Sequence, residues 1–213
     1  MYLPVMLDCA GRRCLVVGGG AVGERKVHGL LETGADVEVV SPAVTDRLME
    51  LDRNGRIRWT ARMFQPEDVS GAFLVYAATD NAEVNQRVAE VCHAAGVPVN
   101  VASRAESGSF ITPRVIRRGR LTVAVSTSGA GPAAAGRIAA QVEQLLGPEY
   151  EPYLDFLHHM RGEIKRREPS PEVRARLLRL LAEMDLLKAF REGKLIEWSP
   201  EEISSWIAEN RGD

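Results

Sequence analysis

Short apolar runs alternate with longer amphipathic stretches through the first half of the chain. Such runs predict buried strands, because parallel strands that are covered on both faces read as continuous apolar segments. Strands that alternate with helices predict an α/β, doubly wound parallel sheet whose ligand site lies at the carboxyl ends of the strands. The predicted strands are residues 14–17, 37–40, 57–61, 73–78 and 97–101, and the predicted helices are residues 22–32, 45–53 and 82–95.

The pattern changes after Gly108. Residues 109–113 read as extended chain, residues 117–120 as a basic turn and residues 121–126 as a strand. An alanine-rich helix over residues 132–146 follows. Small residues on several of its faces allow close helix packing, which favours a subunit interface at this helix.

The last third of the chain has a purely helical pattern, with an aromatic and aliphatic stripe that we expect to form core. A break at residues 168–171 separates the first tail helix from a second helical element over residues 173–189. Ser170 is placed to cap the second element. Ser199 and Glu202 match a capping box at the start of the last helix.

Composition and charge narrow the class of protein. The 213 residues are 45% hydrophobic and 26% charged with a net charge of −2, which argues against a general nucleic-acid binder. We expect no membrane partner, because no apolar stretch reaches the roughly 18 residues that a membrane span needs. The start of the chain lacks the pattern of a signal peptide. Cys9, Cys14 and Cys92 have no CxxC spacing, so we expect buried, reduced thiols and a cytoplasmic protein.

The first predicted strand runs directly into a glycine motif, Gly18-x-Gly20-x-x-Gly23. Glycines at this spacing turn the chain tightly, let the backbone approach a pyrophosphate and let the next helix pack closely. Backbone N–H groups at the helix start then point at the phosphates. The motif in this context predicts dinucleotide binding, the alternative being a purely structural turn. The predicted phosphate cradle is Gly18, Gly20, Ala21, Val22 and Gly23.

The acid that usually binds the adenosine ribose is missing. It is expected at the end of the second strand, roughly 20 residues after the motif, where this chain has Ser41, Pro42 and Ala43. Glu38 lies too early, within the strand. Ser41 and neighbouring backbone groups would therefore have to hold the ribose, and the residues alone do not separate NAD from NADP.

Polar residues also follow the fourth and fifth predicted strands. Thr79 and Asp80 are placed to contact the nicotinamide side of a cofactor, although we favour Asp80 as the cap of the next helix. Asn100 and Val101 end the fifth strand. The Asn100 amide can bind the nicotinamide carboxamide or, alternatively, satisfy backbone groups at the strand end.

Six segments in order resemble one family. The first reads Asp8-x-x-Gly11-Arg-x-Cys-Leu-Val-Val-Gly-Gly-Gly-x-Val-x-x-Arg25-Lys26. The likeness covers about residues 1–147 and resembles the N-terminal module of siroheme synthases, which also occurs as a stand-alone precorrin-2 dehydrogenase. The other segments are Ala77-Ala-Thr-Asp80, Val84-Asn-Gln-Arg87-Val, Asn100-Val, Ser109-Phe-Ile-x-Pro113 and Val123-Ala-Val-Ser126.

The resemblance implies a homodimer of three-part subunits that oxidises precorrin-2 to sirohydrochlorin with NAD as hydride acceptor. It implies cofactor contacts at Pro42 and Ala43. Some relatives also insert ferrous iron, whereas others leave that step to a separate chelatase. The implied parts are a Rossmann-like NAD-binding domain over residues 1–112, a dimerisation segment over residues 113–147 and a helical C-terminal domain over residues 148–213.

The resemblance implies catalytic positions at Asn100, Ser103 and Thr127. The family commonly has an aspartate where this chain has Ser103, and serine can be neither a carboxylate base nor an anionic metal ligand at neutral pH. We therefore expect dehydrogenation with little or no chelation, unless Glu106 substitutes. A hydroxyl at Thr127 lies near the tetrapyrrole in the family, although Thr127 or Ser128 could instead cap the following helix. The four histidines show no metal-ligand spacing, and we expect no metal site.

The carboxylates of precorrin-2 require cations and hydrogen-bond donors in the pocket. For Arg117 and Arg118, binding a substrate carboxylate and lying solvated in a turn are equally good interpretations. Two alternatives remain open: a dehydrogenase that also acts as a ferrochelatase, and a nucleotide- or tetrapyrrole-binding module without turnover. The expected substrate-binding residues are Arg104, Arg114, Arg120, Ser126 and Arg137.

Overall fold

The computed structural model describes residues 2–194 and 197–212. The chain divides into two compact units, Met1–Thr112 and Pro113–Asp213. The proposed dimerisation segment and helical domain both fall within the second unit.

The first unit is built on a five-stranded parallel sheet of order β3-β2-β1-β4-β5, which confirms the Rossmann-like prediction. The order reverses between β1 and β4, and ligand crevices lie at such switch points in open α/β sheets. Val17 pairs with Val40 and Ala77, so β1, β2 and β4 end level there. The strands are β1 (Arg13–Val17), β2 (Asp36–Val40), β3 (Arg58–Thr60), β4 (Leu74–Ala77) and β5 (Val99–Val101).

Alternating strand residues form one core on each face of this sheet. Val16, Val39 and Tyr76 pack on the face covered by α1 (Ala21–Leu31) and α2 (Asp46–Arg53). The opposite face is covered by α3 (Ala82–Ala95), where Leu15, Val17 and Val75 meet Val88 and Cys92. Side chains in a strand point to opposite faces in turn, so the apolar runs serve two cores at once.

The three cysteines are free and buried, as predicted. Cys9 and Cys14 belong to the core beneath α1 and α2, and Cys92 belongs to the core beneath α3. Burial raises the pKa of Cys14 to about 12 and that of Cys92 to about 11. Both thiols therefore stay protonated and unreactive in the folded protein.

The second unit begins with an antiparallel hairpin, β6 (Arg114–Arg118) and β7 (Leu121–Val125). The prediction of a basic turn from residue 117 was wrong at its start, because Arg117 and Arg118 belong to β6 and only Gly119 and Arg120 make the turn. Gly119 has a positive φ of 52°, which this tight connection requires. The alanine-rich helix α4 (Pro132–Leu145) follows.

Among its described residues, four helices complete the second unit around an aromatic and aliphatic core. They are α5 (Tyr150–Arg167), α6 (Pro171–Glu183), α7 (Leu186–Arg191) and α8 (Pro200–Asn210). The predicted element over residues 173–189 was wrong, because Met184 adopts extended angles of φ −67° and ψ 134° and divides it into α6 and α7.

The predicted core and caps of the helical region are confirmed. Phe156 is buried and its ring packs against Phe190 and Trp198. The Ser170 hydroxyl accepts the Val173 N–H at 3.3 Å, and Ser199 forms its capping box at the start of α8. In the described ranges, no helix combines the length and apolarity needed to cross a bilayer.

Candidate nucleotide-binding site

Two glycines of the motif hold the loop after β1 against the sheet. Gly18 has a φ of 114°, and a Cβ atom there would lie 2.5 Å from the Ala78 carbonyl oxygen, which follows β4. A Cβ atom on Gly23 would overlap the Gly18 carbonyl oxygen. Only glycine fits at either position, so the turn and the start of α1 can pack this closely.

Gly19 is a site residue that the sequence reasoning missed. A Cβ atom there would overlap the Ala43 carbonyl oxygen in the loop after β2. The Gly19 carbonyl also accepts the Thr45 N–H at 3.0 Å. Gly19 therefore joins the loops that follow β1 and β2. The uninterrupted Gly18-Gly19-Gly20 run was the signal that could have identified it.

Gly20 differs from its neighbours because its open side faces no protein atom. No described atom lies within 4 Å of a Cβ atom built there. Gly20 is the N-cap of α1 and provides no side-chain cap, while the Ala21 and Val22 side chains beside it are exposed. An uncapped helix start with free N–H groups beside open space suits an anionic pyrophosphate. The loop therefore fits a dinucleotide.

The loop after β2 offers the ribose few side-chain donors. Ser41 is buried, and its hydroxyl donates to the Ala43 carbonyl at 2.7 Å. The Ser41 carbonyl accepts the Trp59 indole N–H at 2.9 Å. The Ser41 hydroxyl can still accept a hydrogen bond but cannot donate one to a ribose. Pro42 and Ala43 are exposed, and a ribose contact in this loop stays a prediction.

The predicted cap of α3 was wrong by one residue. Asn81, not Asp80, caps the helix: its Oδ1 accepts the Glu83 N–H at 2.9 Å and the Val84 N–H at 3.1 Å. Asn81 has the extended backbone of an N-cap, with φ −97° and ψ 113°. Asp80 is exposed and does not cap the helix.

Asn85 links the loops after β4 and β5 and was also missed. It is only 1% exposed. Its Oδ1 accepts both the Thr79 N–H at 3.0 Å and the Thr79 hydroxyl at 2.8 Å. Its Nδ2 donates to the Thr79 carbonyl at 2.9 Å and to the Ser103 hydroxyl at 3.4 Å. A polar residue on the apolar face of α3 was the available signal.

Asn100 takes the structural alternative that the sequence had left open. Its side chain lies on the sheet face opposite to those of Val99 and Val101, and its Nδ2 donates to the Phe110 carbonyl at 2.9 Å. That amide N–H is therefore engaged in fixing the chain after β5. Val101 is buried, so only its backbone could contact a cofactor.

Ser103 and its neighbours form an exposed edge after β5. The Ser103 hydroxyl contacts Asn85, and Arg104 and Glu106 are exposed beside a short 3₁₀ turn, Ala105–Ser107. No group of three metal-ligating side chains occurs within residues 2–194 and 197–212.

The remaining predicted residues lie in the second unit. Arg120 forms an ion pair with Asp155 at 2.7 Å, so its charge is already partnered. Arg118 is likewise paired with Glu143 at 3.0 Å. Arg114, Ser126 and Arg137 are exposed.

The alternative role of Thr127 or Ser128 as the cap of α4 is wrong. The N-cap is Gly131, and it supplies no side-chain hydrogen bond. The Thr127 hydroxyl donates to the Gly131 carbonyl at 3.4 Å instead. Ser128 has a φ of 47°, which turns the chain before the helix.

Comparisons with known proteins agree with this geometry. A family model described as "Putative NAD(P)-binding" matches residues 5–114. The siroheme synthase of Methylobacillus flagellatus is 41% identical over 78% of this chain, and that of Thioalkalivibrio sulfidiphilus is 37% identical over 91%. The chain spans only 35% and 40% of the lengths of these two relatives.

A solved structure is similar over nearly the whole chain. The structure of "SirC, precorrin-2 dehydrogenase" is 30% identical, covers 98% of both chains and superimposes with a TM-score of 0.76. The glycine loop, the parallel sheet and these relatives lead to one conclusion. The chain belongs to the NAD(P)-binding family of precorrin-2 dehydrogenase and the siroheme synthase N-terminal module.

Proposed function

We propose that this chain is an NAD-dependent precorrin-2 dehydrogenase that forms sirohydrochlorin. The observation that carries the proposal is the glycine loop: Gly18, Gly19 and Gly23 pack inward, and Gly20 alone leaves an open approach to a helix start. The similarity to a precorrin-2 dehydrogenase over 98% of both chains supports the choice of substrate.

The nicotinamide of bound NAD supplies the hydride acceptor. The chain's own contribution is to bind and orient. The N–H groups at the start of α1 hold the pyrophosphate, and the loops after β4 and β5 border the nicotinamide half. Hydrogen bonds to Asn85 hold Thr79 in place on this border without a ligand. Orientation of this kind is the main requirement of hydride transfer.

Solvent takes the proton that leaves the substrate. The Ser103 hydroxyl does not ionise at neutral pH. Metal insertion removes two protons from the macrocycle nitrogens, so it depends on a protein base more than hydride transfer does. We therefore propose that chelation is weak or absent, that a separate chelatase acts downstream, and that iron is not a substrate here.

The exposed apolar side chains of the second unit support a homodimer. Val115 on β6, and Ile138 and Leu145 on α4, are 39%, 43% and 72% exposed. Isolated apolar side chains on a surface are ordinary, but three of them on one hairpin and its neighbouring helix favour an interface. The three reduced thiols support a cytoplasmic location.

The direct test supplies precorrin-2 and NAD to the purified protein and follows the absorbance of sirohydrochlorin. We expect NAD-dependent product, and little product with the Gly20→Asp variant, because its carboxylate would enter the pyrophosphate position. Nucleotide binding without any product from the wild-type protein would instead indicate a binding module. Parallel reactions with NADP measure the nucleotide preference.

A second assay tests chelation. Ferrous iron or cobalt is offered with sirohydrochlorin to the wild-type protein, to Ser103→Asp and to Ser103→Asn. The Asn85 Nδ2 donor already faces position 103, so an aspartate there would be hydrogen-bonded in place. Insertion by Ser103→Asp alone supports the reasoning, whereas rapid insertion by the wild-type protein refutes it.

A further inference from the structure

Lys26, Tyr76 and Thr112 form a polar cluster outside the glycine loop. The Lys26 Nζ donates to the Thr112 hydroxyl at 3.2 Å. It also lies 4.9 Å from the centre of the Tyr76 ring. The Thr112 and Tyr76 hydroxyl oxygens are 3.3 Å apart. The predicted nucleotide contacts do not involve any of these three side chains.

The cluster is positively charged, and Lys26 lacks a counter-ion among the described residues. No carboxylate in residues 2–194 and 197–212 forms an ion pair with Lys26. Burial lowers the pKa of Lys26, and the neighbouring Arg25 charge lowers it further. A partly buried ammonium group without a carboxylate is unfavourable by itself. A bound anion would offset this unfavourable burial of the ammonium group.

The same cluster has more donors than acceptors. Lys26 brings three N–H bonds, and Thr112 and Tyr76 bring one O–H bond each. Their two hydroxyl oxygens are the acceptors within the cluster. When Lys26 donates to Thr112 and Thr112 donates to Tyr76, the Tyr76 proton is left over. A carboxylate is an acceptor only, so it matches this surplus.

A ligand atom can reach the cluster. Lys26 is half-buried and Thr112 is exposed. Lys26 follows the exposed Val22 by four residues, so both side chains lie on the same face of α1. The cluster is therefore one helical turn, about 6 Å along the axis, from the residues beside the glycine loop.

We infer that Lys26, Thr112 and Tyr76 form a carboxylate-binding site for an acidic side chain of the tetrapyrrole. This inference rests on the proposed function for the identity of the ligand. The ammonium group binds the carboxylate directly with the N–H bonds that Thr112 does not use, and the Tyr76 hydroxyl donates a further hydrogen bond to it. The site is separate from the pyrophosphate site and anchors the substrate beside it.

The test compares Lys26→Met with Arg25→Met. Both variants lose one positive charge from adjacent positions of α1, but only Lys26 belongs to the cluster. Sirohydrochlorin is titrated in each protein by absorbance, NAD binding is measured by calorimetry, and thermal unfolding is recorded. We expect Lys26→Met to weaken sirohydrochlorin binding at least tenfold, with NAD affinity within twofold and an unchanged or higher Tm. Arg25→Met should change sirohydrochlorin affinity less than threefold.

Other outcomes overturn the inference. Wild-type affinity in Lys26→Met with a lower Tm would make Lys26 a structural residue. A parallel loss of NAD affinity would assign the site to the cofactor phosphates. Failure of the wild-type protein to bind sirohydrochlorin would also reject it. If sirohydrochlorin binding depends on Lys26 but no turnover occurs, the carboxylate site stands and the dehydrogenase function is rejected. If turnover occurs but binding does not depend on Lys26, the dehydrogenase function stands and the carboxylate site is rejected.

Discussion

The Asn85 side-chain amide donates a hydrogen bond to the Ser103 hydroxyl across 3.4 Å, and so connects α3 to the loop after β5. The same side chain makes three further hydrogen bonds to Thr79, after β4. One buried amide therefore sets the relative positions of the two loops that border the nicotinamide half of the proposed site.

Replacing Asn85 by aspartate should destabilise the first unit. The shape is kept, but a carboxylate oxygen replaces Nδ2 and faces the Thr79 carbonyl. We expect a loss of about 2 kcal/mol in the free energy of unfolding, because a buried acceptor then loses its donor. Urea denaturation measures it. The matched control is Gln86→Glu, the same chemical change on the exposed side of α3, which should cost less than about 0.5 kcal/mol. Equal stability of the two variants would reject this role for Asn85.

Three glycine substitutions should separate nucleotide binding from folding. Gly20→Ala should weaken NAD binding while leaving Tm nearly unchanged, because its methyl group enters space that only the ligand occupies. Gly23→Ala should lower Tm, because its methyl group overlaps the Gly18 carbonyl. Gly29→Ala is the control: it has open space on α1 and should stabilise the helix by about 0.5–1 kcal/mol without affecting NAD. Calorimetry and thermal unfolding give both quantities. Full NAD affinity in Gly20→Ala would contradict the site.

The cap of α3 gives a simple comparison. Asn81→Ala should lower the free energy of unfolding by about 1 kcal/mol, because two backbone N–H groups lose their acceptor. Asp80→Ala should change it by less than about 0.5 kcal/mol. Chemical denaturation measures the free energy of unfolding of both variants, and a larger loss for Asp80→Ala would indicate that Asp80 is the cap of α3.

The pair of Asp68 and Arg62 should make stability depend on acid pH. Burial alone would raise the pKa of Asp68, but hydrogen bonds from the Arg62 guanidinium at 2.5 and 2.9 Å and from the Gln65 N–H at 2.8 Å outweigh it. The pKa is held below its ordinary value of 3.8. The stabilisation is therefore complete above pH 3.8 and is lost as the pH falls through the lowered pKa.

Denaturation curves from about pH 6 to about pH 2 test this dependence. Asp68→Asn should be less stable than the wild-type protein by about 2 kcal/mol at neutral pH. The difference should shrink as the wild-type carboxylate becomes protonated in acid. A difference that stays constant over the whole range would show that the charge of Asp68 does not contribute to stability.

The sequence predicts the parts of this protein that depend on local pattern. The strands and helices of the first unit follow from the spacing of apolar residues. The caps at Ser170 and Ser199 follow from the local sequence, because each side chain binds a backbone N–H only three residues away. β6 was missed because its arginines resemble a turn, and its pairing with β7 is a tertiary contact. Gly19 and Asn85 were missed because their partners, Ala43 and Ser103, are 24 and 18 residues away.

The rate at which each buried thiol is chemically modified reports how often the structure around it opens. Cys9 and Cys14 lie under α1 and α2, and Cys92 lies under α3, so Cys14 and Cys92 report on opposite sides of the sheet. Because burial keeps both protonated, an alkylating reagent can modify either one only after that side opens. Mass spectrometry of modification over time would therefore reveal which half of the domain opens first, and which half a bound nucleotide holds closed.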